Sequence, residues 1–198
     1  VSRAESEQNL QIIMNEKNTL ATQNKELSRK LETITVESLQ LKEKLAETTE
    51  IHEVKTSDAF KQLQGFIGKW KGKMTKYNGE VEIIETEFSL IANGSAIVER
   101  FTEGGSEAFT MYHDKNGQLT ATHYCALGNV PSFVLSKKDK YNLSFAFDPL
   151  CGLKVGKDKF LNSLVWNYDP KKPNKLQSYY KVIDTDKSIV SSTSKLTR

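Results

Sequence analysis

The sequence predicts an α+β chain in which a long N-terminal coiled-coil helix is followed by an all-β antiparallel barrel of about ten strands. Three observations predict it. Apolar residues recur at heptad spacing through the first quarter of the chain, and no Gly or Pro occurs before Gly65. From Gly68 onward the pattern changes to alternation, with Gly, Asn and Asp clusters at short intervals. The expected organisation is a coiled-coil helix over 1–57 and a barrel over 58–198.

The helix comes first. Leu10, Lys17, Asn24, Leu31, Ser38 and Leu45 share heptad position a, and Ile13, Leu20, Leu27, Ile34 and Leu41 share position d. A 3.5-residue repeat keeps one stripe facing a partner and implies a left-handed supercoil. A stripe this narrow leaves the d residues in water unless something covers it. About 45 helical residues span about 68 Å, whereas a globule of about 140 residues is only about 35–40 Å across. Self-association is therefore expected, through Leu10, Ile13, Leu20, Asn24, Leu27, Leu31, Ile34, Leu41 and Leu45. Asn24 at an a position pairs with its own copy, which points to a parallel in-register dimer. Lys17 and Ser38 at a weaken the seam and leave a trimer as the alternative. The pattern fades at Thr48 and His52, which places the helix end within 50–64. A second helical turn is expected at Ser57–Leu63, capped by Ser57 or Asp58.

Ten strands follow, near 69–77, 80–91, 95–103, 107–113, 118–125, 131–137, 140–147, 159–168, 176–184 and 188–197. Asn78-Gly79, Asn93-Gly94 and Asn116-Gly117 are tight-turn signals, because Asn and Gly tolerate positive φ. Such a meander leaves two bare edges or closes, and closure removes the edges. Alternation assigns faces. Leu119, Ala121, His123 and Cys125 share the inner face of one strand, and Phe109, Met111 and His113 are expected to share it across the hairpin. Tyr141, Leu143, Phe145 and Phe147 line up, as do Phe160, Asn162, Leu164, Trp166 and Tyr168. Tyr112, Tyr124 and Tyr179 fall on the outside. A small barrel so lined is either solid or holds one small ligand.

Charge and cysteine usage bound the function. The net charge is +3, divided as −3 over residues 1–58 and +6 over 59–198. The barrel's lysines, at Lys69/Lys71/Lys73/Lys76, Lys137/Lys138/Lys140 and Lys171/Lys172/Lys175, read as solvated strand ends and loops. Nucleic-acid binding would need aromatics interleaved with them on one face, and only Trp70 and Tyr77 come close. No nucleic-acid partner is expected. No apolar run reaches the roughly 18 residues of a membrane span. Cys125 and Cys151, 26 residues apart, have neither metal-cluster spacing nor a disulfide framework, and read as unpaired thiols. No metal or cofactor is expected.

Several blocks then carry a resemblance. Gly68-Lys69-Trp70-Lys71-Gly72 resembles the G-x-W opening of lipocalin-like (calycin) barrels. Gly94-Ser95-Ala96-Ile97-Val98-Glu99, Met111-Tyr112-His113-Asp114, Thr122-His123-Tyr124-Cys125 and Gly128-Asn129-Val130-Pro131 follow it. Together these resemble a bacterial family of lipocalin-like proteins of no settled function, over about 66–198. Val130 departs from the Gln usual there. The resemblance implies a ten-stranded calycin-type barrel and no known reaction, with Trp70 packing across the barrel floor. Related barrels often follow signal peptides and this chain starts at Val1 rather than Met. The reading therefore leans to a periplasmic or secreted location. Membrane contact is expected only through an anchor preceding Val1.

The candidate ligand-binding residues are His123, His113, Cys125, Asn129, Asn162 and Trp166. His123 is placed on the inner face, either contacting a ligand or hydrogen-bonded to Asn129, Glu99 or a backbone carbonyl to fix the 126–131 loop. Two histidines and a thiol make a metal site only if all three converge. A Cys125–His123 nucleophile pair fails on geometry, since residues two apart on a strand point straight off the sheet. The expected function is non-enzymatic binding of a small apolar molecule by a barrel on an oligomerising coiled-coil stalk. The alternatives are a scaffold module with a filled barrel and a haem- or metal-binding protein, because the nitrobindin-like barrels of similar plan hold haem through one histidine.

Overall fold

The computed structural model describes residues 3–48 and 56–198, with the backbone alone described for Glu5 and for 45–48. The chain divides into two units, Val1–Glu53 and Val54–Arg198.

The described residues of the first unit form one helix, α1 (Arg3–Thr48). No helix-breaking residue interrupts it, and several hydroxyls bond back to the carbonyl one turn earlier, as Thr35 does to Leu31 at 2.8 Å. Its described side chains are all exposed, including both rows of the seam. Leu27 is 62% exposed and Leu41 67%. Leu45, the last seam residue, has no described side chain, and the helix end expected within 50–64 falls partly on 49–55, outside the described residues. No described helix is long and apolar enough to cross a membrane.

The second unit begins with a short helix, α2 (Asp58–Gln64). Ser57 caps it: its hydroxyl accepts from the Phe60 N–H at 3.1 Å. The cap is anchored in turn, because the Ser57 N–H and hydroxyl both donate to the Asp114 carboxylate, at 2.6 and 2.8 Å. Ten strands follow: β1 (Gly68–Thr75), β2 (Val81–Ile91), β3 (Ala96–Glu103), β4 (Ser106–Lys115), β5 (Gln118–Tyr124), β6 (Ser132–Lys138), β7 (Asn142–Asp148), β8 (Phe160–Tyr168), β9 (Lys175–Ile183) and β10 (Ile189–Thr197). Each pairs antiparallel with its sequence neighbour, and β1 pairs with β10, so the meander closes as the alternation requires. Gly72 permits that closure. A Cβ there would collide with the Lys195 carbonyl oxygen and lie 2.9 Å from Leu196 Cα.

One half of the barrel is solid. Phe60, Leu63 and Phe66 from α2 and the segment after it are fully buried in the end of the barrel where β1 starts. The Phe66 ring meets Phe88, Trp166 and Tyr168 edge-on, at 5.6, 5.7 and 5.4 Å. Trp70, 2% exposed, lies at this closed end. Its indole N–H donates to the Phe66 carbonyl at 2.6 Å, and the Arg198 guanidinium covers its ring at 4.4 Å. Burying aromatics of this size stabilises the fold by roughly 1.5–3 kcal/mol each.

Two face assignments from alternation need correction. Asn116-Gly117, with φ of 54° and 79°, forms a two-residue turn that pairs Lys115 with Gln118. That register sets Thr110 opposite His123 and Tyr112 opposite Ala121. Even positions of β4 therefore share the inner face with odd positions of β5. Phe109, Met111 and His113 face outward, and Tyr112, expected outside, is fully buried in the core. Tyr124 and Tyr179 are exposed as expected. The second correction lies in β8. The ladder to β9 passes from Leu161↔Val182 to Ser163↔Lys181, leaving Asn162 unpaired in a bulge. A bulge reverses the alternation beyond it. Leu161 thus faces inward along with Leu164, and Asn162 does not align with them.

Candidate functional site: a cup over a buried carboxyl

The other half of the barrel is open. Above Trp166 and Tyr112, at the end where β1 finishes and β2 starts, lies a cavity of about 410 Å³. Its walls are mostly apolar, with Met74, Phe101, Leu161, Leu164, Val182 and Val190 among the lining residues. The segment 125–131 contributes Ala126 and Leu127 to the mouth. That segment is tied down by backbone bonds from His123 N–H to Pro131 (2.9 Å) and from Cys125 N–H to Asn129 (3.0 Å).

A polar network sits at the floor. Glu99 on β3 is 2% exposed and points inward between Ile97 and Phe101. Its carboxyl accepts from the Tyr112 hydroxyl at 2.8 Å and from the Thr86 hydroxyl at 3.2 Å. The Thr110 hydroxyl, nearby, also favours its charged form. Tyr112 is held from behind, because the Trp166 indole N–H donates to its oxygen at 3.0 Å. Thr110 also meets His123 Nδ1 at 3.0 Å. Four strands thus converge on one carboxyl through neutral groups.

Burial sets the ionisation of this network. Loss of water raises the Glu99 carboxyl from 4.5 to about 7, against the pull of the Tyr112, Thr110 and Thr86 hydroxyls. The same desolvation lowers His123 from 6.5 to about 4, so its imidazole is neutral at physiological pH. Tyr112 is raised by burial and by the adjacent Glu99 charge. Burial likewise raises Tyr180, which lines the cup from β9. At the mouth, Lys76 bridges Glu82 at 2.6 Å and Glu103 at 3.1 Å. Lys159, also at the mouth, pairs with Asp184 at 2.6 Å.

The structure distributes the candidate residues unevenly. His123 and Cys125 line the cup. Trp166 lies beneath it and acts on it through Tyr112. Asn129 fastens the 125–131 segment to the start of β8, donating to the Lys159 carbonyl at 2.6 Å, and its own Oδ1 is buried without a partner. Asn162 is the bulge residue and is not among the cup's lining. His113 sits on the outer face, where its Nε2 meets the Thr120 hydroxyl at 3.4 Å. His113, His123 and Cys125 therefore do not converge. Among the described residues no group of three or more His, Cys, Asp or Glu side chains is arranged to hold a metal ion. Burial raises the Cys125 thiol, the opposite of what an activated nucleophile needs. Both cysteines are free.

Glu99, considered only as a partner for His123, and Tyr112, expected outside, were not among the candidate ligand-binding residues. An acidic residue on an alternating strand reads as solvent-facing by default. The available signal was its position between Ile97 and Phe101, two residues away on either side and on the same face.

No protein-family model and no curated protein matches this sequence. Solved structures similar to part of this chain include the following three. One is a protein of unknown function from the DUF3598 family of Nostoc punctiforme, at 10% identity and a TM-score of 0.47, covering 69% of this chain. The chain spans 48%, about half, of that protein's length. The second is the structure of EF1p2_mFAP2b bound to DFHBI, at 13% identity and a TM-score of 0.36, covering 70% of this chain and 98% of its own. The third is a redesigned β-barrel, mFAP1, bound to DFHBI, at 15% identity and a TM-score of 0.33, covering 68% of this chain and 96% of its own.

Proposed function

We propose that the barrel is a non-enzymatic binder that takes one small, mostly apolar molecule in its open half. The observation that carries this reading is the cup itself. A volume of about 410 Å³ exceeds the roughly 300 Å³ at which ordinary ligand sites begin. Apolar walls with a few convergent polar groups are the usual composition of such a site. The scaffold alternative with a filled barrel accounts for the lower half alone. Four of the sequence blocks that resemble the bacterial lipocalin-like family supply Glu99, Tyr112, His123, Cys125 and Asn129.

The second part of the proposal concerns α1. Its exposed seam is covered by a second copy in a parallel coiled-coil dimer registered by Asn24, so that barrels are presented in pairs on a stalk. Isolated apolar rows of this length are rarely left in water.

Titration with the neutral dye N-phenyl-1-naphthylamine tests the cup. Fluorescence enhancement is expected to saturate at one dye per chain. Ala108→Trp places a large ring into the lining and is expected to abolish it. Non-saturating enhancement, or a folded Ala108→Trp protein that binds as before, would refute the reading.

A further inference from the structure

The floor of the cup specifies its guest more narrowly, on the premise that the cup binds a guest at all. Glu99 lines the cavity while almost wholly removed from solvent. The two groups that donate to it, Tyr112 and Thr86, are neutral hydroxyls, as is the nearby Thr110. Among the described residues it makes no ion pair. A carboxylate offers about four acceptor directions, and the hydroxyls take at most three. A buried anion with no counter-charge is costly, and a cation delivered into the cup would remove that cost.

The cup offers nothing comparable to an anion. Both lysines at its mouth are already held, Lys76 by Glu82 and Glu103 and Lys159 by Asp184. His123, the remaining basic group of the lining, is neutral.

We propose that the cup takes a small apolar molecule bearing one protonated amine, inserted amine first. The ammonium donates to Glu99 in the direction the hydroxyls leave free. The apolar body lies against Phe101, Leu161, Leu164 and Val182. His123, fixed by Thr110, borders the same space as a neutral hydrogen-bonding group.

Three probes of matched shape test this on the full chain: 1-(aminomethyl)naphthalene, 1-naphthalenemethanol and 1-naphthoic acid. Displacement of N-phenyl-1-naphthylamine at pH 7.5 gives their affinities. A hydrogen bond to a charged group contributes about 1.5–3 kcal/mol, so the amine is expected to bind about tenfold to hundredfold more tightly than the alcohol. The acid is expected to bind most weakly. In Glu99→Gln the amine should lose its advantage over the alcohol. Equal affinities, a preference for the acid, or an amine preference that survives Glu99→Gln would overturn the inference and leave the cup intact as a site for neutral guests. Failure of the dye itself to bind would overturn both readings together. The wild-type ranking alone can overturn the inference, so it stays falsifiable even if the Glu99→Gln protein folds poorly.

Discussion

Replacing Glu99 by Gln tests the buried carboxyl through stability. A carboxyl raised from 4.5 in the unfolded chain to about 7 in the fold is bound to a proton more often when folded, throughout that interval. The unfolded state then holds fewer protons than the native state, and stability falls as pH rises from 4.5 through 7. Fully developed above pH 8, the loss is about 3 kcal/mol, at 1.36 kcal/mol per pH unit. Between pH 5 and 8.5 it is about 2.5 kcal/mol. Glu99→Gln keeps the shape and removes the charge. The variant's stability relative to wild type should therefore rise by about 2.5 kcal/mol between these two pH values, whatever the difference at pH 5. His123 contributes with the opposite sign, since its lowered value makes folding less favourable as pH falls from 6.5 to 4. That contribution is common to both proteins and cancels. Urea denaturation followed by tryptophan fluorescence is the assay, because Trp70 and Trp166 both report on the barrel and α1 is silent. A difference that stays constant with pH to within about 0.5 kcal/mol would refute the argument that burial governs this carboxyl.

Tyr112→Phe removes the donor to Glu99 and the acceptor for the Trp166 N–H, leaving two buried groups short of a partner. It should cost about 2–3 kcal/mol in urea and raise the Glu99 midpoint further, seen as a shift of the pH–stability curve to higher pH. His123 should titrate near 4 by NMR, identified as the histidine signal missing in His123→Gln, and a midpoint near 6.5 would show it solvated. Leu27→Lys with Leu41→Lys should yield monomers by light scattering with the barrel's tryptophan spectrum unchanged, and an undiminished mass would defeat the stalk.

The strand layout was legible in the sequence because it depends on local signals. Turn residues such as Asn116-Gly117 and period-2 alternation place the strands to within one or two residues. The Ser57 cap and the α2 helix were legible for the same reason. What failed was parity carried across elements. The inward Tyr112 follows from a two-residue turn, in which same-face partners have opposite parity, and matching odd positions to odd ones exchanged Tyr112 for His113. The Asn162 bulge left no mark in composition. Glu99 stayed hidden for another reason. Its burial is tolerated only because Thr86, Thr110 and Tyr112 from neighbouring strands reach it, and that convergence exists only in the closed barrel. His123 was placed correctly on the inner face, but the side-chain partner it meets is the Thr110 hydroxyl, not Asn129, Glu99 or a backbone carbonyl.

The central claim is that an acid lies buried at the floor of an open cup. The ¹³C shift of the Glu99 side-chain carboxyl, followed from pH 4 to 9 in the wild-type chain, tests it most directly. The account predicts a midpoint near 7 in the empty protein and a lower one when 1-(aminomethyl)naphthalene is saturating. A midpoint at the ordinary 4.5, unmoved by the amine, would show a carboxylate bathed in water and would contradict the account.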